Sequence, residues 1–111
     1  MKKILAHILA VVIVLAMIGC SEEDPQFRIR NERLDKANVQ IQTSGGNTVN
    51  INDVASGQTT AYSTVAEGNT AVTAVIQNES VSPSAKFNCE MDERYTVVLQ
   101  TGNPPTIRID N

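Results

Sequence analysis

The chain is poor in the side chains that do most protein chemistry. Its 111 residues include no tryptophan and a single histidine, His7. Cysteine occurs twice, as Cys20 and Cys89, and the aromatics are Phe27, Tyr62, Phe87 and Tyr95. His7 lies inside an apolar run at the amino terminus, so everything after that run is free of histidine. A domain without histidine has no Ser-His-Asp or Cys-His site and no histidine-ligated zinc. Basic residues are also scarce, with nine Lys and Arg against twelve Asp and Glu.

What is present begins at the amino terminus. Lys2 and Lys3 give a short positive start, and Ile4 to Ile18 follow as an apolar run broken only by His7. This is the layout of a secretory signal peptide over residues 1–19. The run falls short of the roughly 20 apolar residues a membrane-spanning helix needs; an uncleaved amino-terminal anchor is the alternative. Cleavage before Cys20 leaves 92 residues, one small domain. Removing Lys2 and Lys3 leaves seven basic against twelve acidic side chains, a net charge of −5. Neutralising phosphates takes clustered Lys and Arg, and the linear sequence offers no such stripe, which argues against nucleic acid as a partner.

Met17-Ile18-Gly19-Cys20 resembles the lipobox of bacterial lipoproteins, with Met17 in the place usually held by leucine. The resemblance implies thioether attachment of a diacylglycerol to Cys20, cleavage before it, and acylation of the new amino terminus. One acyl chain holds a protein to a bilayer only marginally, whereas two or more anchor it stably. Ser21-Glu22-Glu23-Asp24 comes next, then Pro25. Residues 20–25 read as a solvated acidic tether. A serine and acidic residues directly after the lipid cysteine also resemble the export signal of surface lipoproteins in the Bacteroidetes. That resemblance implies display on the cell surface, with the periplasmic face of the outer membrane as the alternative. Lipidation of Cys20 leaves Cys89 without a disulfide partner, and a buried free cysteine behaves as a small hydrophobe.

From residue 26 to 111 short alternating segments are broken by turn signals every eight to twelve residues. This pattern predicts an all-β fold, a small immunoglobulin-like sandwich of seven to eight antiparallel strands. Phe27-Arg28-Ile29-Arg30 alternates apolar and charged, and Val39 and Ile41 answer Val49 and Ile51 across a turn at Ser44-Gly45-Gly46-Asn47. Thr59 to Val65, Ala71 to Ile76, Ala85 to Cys89, Arg94 to Thr101 and Thr106 to Ile109 complete the expected strands. Small apolar residues on both faces of Ala71 to Ile76 predict a central position. All four aromatics fall on predicted strands and are expected in the core. Phe27-Arg28-Ile29-Arg30-Asn31, Gly57-Gln58-Thr59-Thr60-Ala61-Tyr62 and Tyr95-Thr96-Val97-Val98-Leu99 with Gly102 look like an uncharacterised immunoglobulin-like family of bacterial envelope lipoproteins. Asp92-Glu93-Arg94 stands where that family commonly has a glycine, and the resemblance brings no catalytic residues.

Two groups are candidates for acid-base or calcium chemistry: Glu90, Asp92 and Glu93 in one predicted turn, and Asn50, Asn52 and Asp53 in another. Neither has the length or glycine spacing of a calcium loop. Lys36 and Lys86, both near expected turns, provide no evident activation of a serine or threonine. The expected function is therefore non-catalytic and free of cofactors: a lipid-anchored binding or adhesion module for a protein or glycan. A structural or accessory subunit of an outer-membrane complex is the alternative, and a carboxylate-based hydrolase comes third.

Overall fold

A computed structural model describes residues 22–111. The expected signal helix, Cys20 and Ser21 lie outside the described residues. Eight strands form two four-stranded sheets, and no helix occurs among the described residues. The first sheet has the order β4 (Ser63–Thr64), β1 (Gln26–Asn31), β7 (Arg94–Gln100), β8 (Thr106–Asp110). The second has the order β3 (Thr48–Val54), β2 (Ala37–Gln42), β5 (Gly68–Ile76), β6 (Ser84–Cys89). The sandwich expected from the strand pattern is thus present.

Period-two alternation builds the core. Phe27 and Ile29 of β1, Val39 and Ile41 of β2, Val72 and Ala74 of β5, and Val97 and Leu99 of β7 are buried at 1 % exposure or less. Each is followed by a residue that faces outward, so both sheets turn their apolar faces toward each other. Burying one such side chain stabilises the fold by roughly 1.5–3 kcal/mol before conformational entropy is counted. At the start of β7, Tyr95 accepts from the Glu90 amide at 2.9 Å and donates to the Asn88 carbonyl at 3.2 Å. Its ring packs on Phe87 at 5.2 Å between centroids. A tyrosine that bonds back to the preceding corner is the tyrosine-corner device of immunoglobulin-like sandwiches.

Five expectations need correction. β1 pairs with β7 in parallel, because the chain crosses to the second sheet after β1 and returns to the first at the same end. Thr59 to Val65 contributes only the two residues of β4 and one bridge between Arg30 and Thr59. Tyr62 precedes that short strand and is 36 % exposed, outside the core. Asn50, Asn52 and Asp53 stand on β3, where a register shift opposite Ala37 to Val39 puts Asp53 at a φ of 57°. Lys86 likewise lies within β6. β5 is an inner strand as expected, but its outward Val75 is 56 % exposed.

The register assigns the loops to two ends. Glu22 to Pro25, the β2–β3 turn, Val65 to Glu67 and the β6–β7 turn share one end with the start of β1. The opposite end carries the connections β1–β2, β3–β4, β5–β6 and β7–β8. At the first end a Cβ on Gly68 would come within 2.8 Å of Ser44, and φ there is 120°. Glycine lets the β4–β5 corner close onto the β2–β3 turn.

Candidate functional site

The expected tether is partly built into the fold. The Glu23 amide donates to the Asp92 carboxylate and the Asp92 amide donates to the Glu23 carbonyl, both at 2.8 Å. Asp92 is held at a φ of 65° in the β6–β7 turn, so this carboxylate is committed to the tether backbone. Pro25 is buried, while the side chains of Glu22, Glu23 and Asp24 remain exposed. The hydrogen-bonded body therefore begins at Glu23, three residues ahead of the expected boundary at 26. Glu90, Asp92 and Glu93 do share a turn, and no group of three or more His, Cys, Asp or Glu suited to a metal occurs among the described residues.

The outer face of the first sheet holds a cluster that the linear sequence hides. Four of the seven basic residues after Cys20 lie there: Arg28 and Arg30 on β1, Arg94 on β7 and Arg108 on β8. They line a shallow groove of about 590 Å³ together with Tyr62, Thr96, Glu32 and Asp110. Register places Val98 between Arg30 and Arg108. Val98 faces outward and is nevertheless only 1 % exposed, because arginine stems cover apolar surface while their heads stay wet.

The four arginines differ in their partners. Arg30 pairs with Glu32 at 3.5 Å, and Arg108 makes a two-point contact with Asp110 at 2.9 and 3.0 Å. The hydrogen bond from Arg108 lowers the Asp110 carboxyl below its ordinary value, and the same bond raises the guanidinium. Arg28 donates its Nε to Thr96 Oγ1 at 3.0 Å, and Arg94 makes no side-chain hydrogen bond or ion pair among the described residues. Both guanidinium groups lie over the Tyr62 ring, at 4.8 Å for Arg28 and 5.1 Å for Arg94. Such a stack orients long side chains that would otherwise sample many rotamers. Alternation predicts that Arg28 and Arg30 share a face; the pairing of β1 with β7, which adds Arg94, is a long-range event.

A second network fixes the loops opposite the tether. Arg33 is nearly buried and donates to the Gln100 carbonyl at 2.7 Å, the Gly102 carbonyl at 3.1 Å and Glu79 Oε1 at 2.8 Å. Ser56 Oγ donates to the Arg33 carbonyl at 2.7 Å, so one residue ties four connections together. Asn31 is fully buried: its Nδ2 donates to the carbonyls of Asp35 and Val54, and its Oδ1 accepts the Arg33 amide. Beside this network Leu34 is 91 % exposed and Val81 47 %.

Cys89 is buried and free, with Thr70 Oγ1 3.3 Å from its sulfur. Burial pushes its thiol pKa up, and the Thr70 hydrogen bond opposes that shift in part. Thiolate is the reactive form. A maleimide at mildly alkaline pH should therefore leave Cys89 unmodified in native protein and label it fully in denaturing guanidinium. Equal labelling rates in the two states would contradict the burial.

No protein-family model and no curated protein matches this chain. The fold is similar to that of a solution NMR structure of a protein from Eubacterium rectale, with a TM-score of 0.59 and 14 % identity. The match covers 83 % of this chain and 89 % of that one. At this identity the likeness shows the fold alone, a two-sheet β-sandwich here carrying a cationic, tyrosine-bearing outer face.

Proposed function

We propose that the protein is a lipid-anchored bacterial envelope lipoprotein, displayed on the outer surface of the outer membrane and acting as a non-catalytic binding module. The supporting observation is the bond pair between Glu23 and Asp92. Cys20, the lipid-bearing residue of this reading, stands three residues before Glu23, so at most about 10 Å of extended chain separates the acyl chains from the fixed backbone. The sandwich is thereby presented end-on. Its tether end carries Glu22, Glu23, Asp24, Glu67, Glu90, Asp92 and Glu93, seven of the twelve carboxylates. The short link keeps that end at the membrane despite its negative charge, so the domain stands on it. The outer face of the first sheet then looks sideways into solvent and the Arg33 end points outward.

Surface display has a direct test in the two lysines that follow Cys20, Lys36 and Lys86, both exposed. A membrane-impermeant amine reagent should label them on intact cells. Changing Glu22, Glu23 and Asp24 together to alanine should restrict labelling to lysed cells. Labelling that requires lysis in the unaltered protein would place the domain on the periplasmic face and end the surface reading. The accessory-subunit alternative has its own observation in the exposed Leu34 and Val81 on the loops opposite the tether. It predicts a stoichiometric protein partner in membrane pull-downs that Leu34→Asp releases.

A further inference from the structure

We propose that the groove on the outer face of the first sheet binds an acidic glycan. In this arrangement a sugar carboxylate is held by Arg28 and Arg94 and a sugar ring is set against Tyr62. The assignment rests on the reading of the chain as a binding module and names the ligand that module takes. The first argument is charge placement. A chain of net charge −5 after Cys20 gathers four of its seven cations on one face. Arg30 and Arg108 already have carboxylate partners, whereas Arg28 and Arg94 have none among the described residues.

The second argument is geometry. Thr96 takes the Nε of Arg28, which fixes the side chain and leaves both terminal nitrogens for an end-on, two-point contact with a carboxylate. Because both guanidinium carbons lie about 5 Å from one ring centroid, they stand no more than about 10 Å apart. Register puts Arg28 opposite Thr96, two residues along β7 from Arg94 on the same face, so an oxyanion lying between the two accepts from both. Tyr62 itself is an aromatic kept outside the core, at the rim of a groove whose volume suits a short oligosaccharide.

The remaining features select among anions. Glu32 and Asp110 line the same groove and offer acceptors to sugar hydroxyls, which the phosphodiester backbone of DNA lacks. Apart from Tyr62 and the covered Val98 the lining is polar, with no apolar socket for a peptide side chain. The face also runs along the side of the sandwich, away from the tether end, so a lipid headgroup of the anchoring bilayer does not reach it in the upright orientation.

The test uses the full chain in nanodiscs of neutral lipid, titrated with a short oligogalacturonate, its fully methyl-esterified form, a single-stranded DNA oligomer and phosphatidylglycerol vesicles. The acidic oligosaccharide should bind saturably and the neutral ester should not. Arg28→Gln and Arg94→Gln should each weaken binding by about tenfold or more, consistent with loss of one charge-assisted contact. Tyr62→Phe should bind as the parent does, and Tyr62→Ala should not. All three side chains changed are on the outer face of the sheet, so unaltered melting temperatures confirm folding. Equal binding of the ester, indifference to either arginine, or binding of DNA or vesicles in place of the oligogalacturonate would overturn the proposal. Failure here with lysine labelling on intact cells retained sinks the ligand class alone. Binding retained by a chain that is not membrane-attached sinks the anchoring and leaves the ligand standing.

Discussion

Arg33→Ala should lower the stability of the domain by about 3 kcal/mol, the largest effect expected of any single exposed-loop substitution. Arg33 is 10 % exposed at its side chain and makes three hydrogen bonds through its terminal nitrogens. Removing one member of a buried charged pair typically costs 3–5 kcal/mol. Glu79 is 25 % exposed, so its share is screened and the lower end of that range applies. The carbonyls of Gln100 and Gly102 lose their donor at the same time. Native domains are stable by only about 5–15 kcal/mol, and each kcal/mol moves the melting temperature of a domain this size by roughly 4–8 °C. A fall of about 12 °C or more is therefore expected. Denaturant titration should show an earlier midpoint with an unchanged slope, since the core is not rebuilt. Arg33→Lys should recover only part of the loss, because one ammonium does not span three acceptors held by a fork. The Nε of Arg33 has no partner, so the network is not perfect. A change below about 1 kcal/mol for Arg33→Ala would show that the four connections are held by their strands rather than by this residue.

Arg33 also shows where sequence reading reaches its limit. By hydropathy alone leucine is the most apolar member of Glu32-Arg33-Leu34-Asp35. The structure inverts that order, with Arg33 inside and Leu34 91 % exposed. The cause lies far along the chain: carbonyls at the end of β7 and in the β7–β8 connection need a donor, and Arg33 reaches them across 67 and 69 residues. Alternation, by contrast, is local. Phe27 and Ile29 inward, and Val39 and Ile41 opposite Ile51 and Val49, follow from a period of two and a glycine turn. Arg28 and Arg30 on one outer face follow from the same period. Adding Arg94 and Tyr62 to them requires the sheet order, which local pattern does not contain. Tyr62 is expected inside because aromatic residues usually fill cores, but the pairing of β4 begins only at Ser63 and leaves the ring at the rim.

Cys20→Ala should remove all label from a metabolically supplied palmitate analogue, the largest functional effect expected of any change in the chain. The thiol is the only group at which the thioether forms in this reading, and without it neither diacylglycerol nor amino-terminal acylation follows. Each buried methylene contributes roughly 0.8 kcal/mol to membrane attachment, so the difference between acylated and unacylated protein is the difference between permanent and no lipid anchorage. Cys89→Ala should leave the label intact, because that sulfur is buried in the sandwich. Label that survives Cys20→Ala would show acylation elsewhere.

The central claim, that this sandwich is a lipid-anchored lipoprotein whose body starts at the tether, is tested most directly by the intact mass of the protein extracted from membranes. The account predicts a polypeptide of 92 residues beginning at Cys20, heavier than its amino-acid sequence by a diacylglyceryl group and an amide-linked acyl chain. A mass equal to that of the bare polypeptide, whether it starts at Met1 or anywhere after the apolar run, would contradict it.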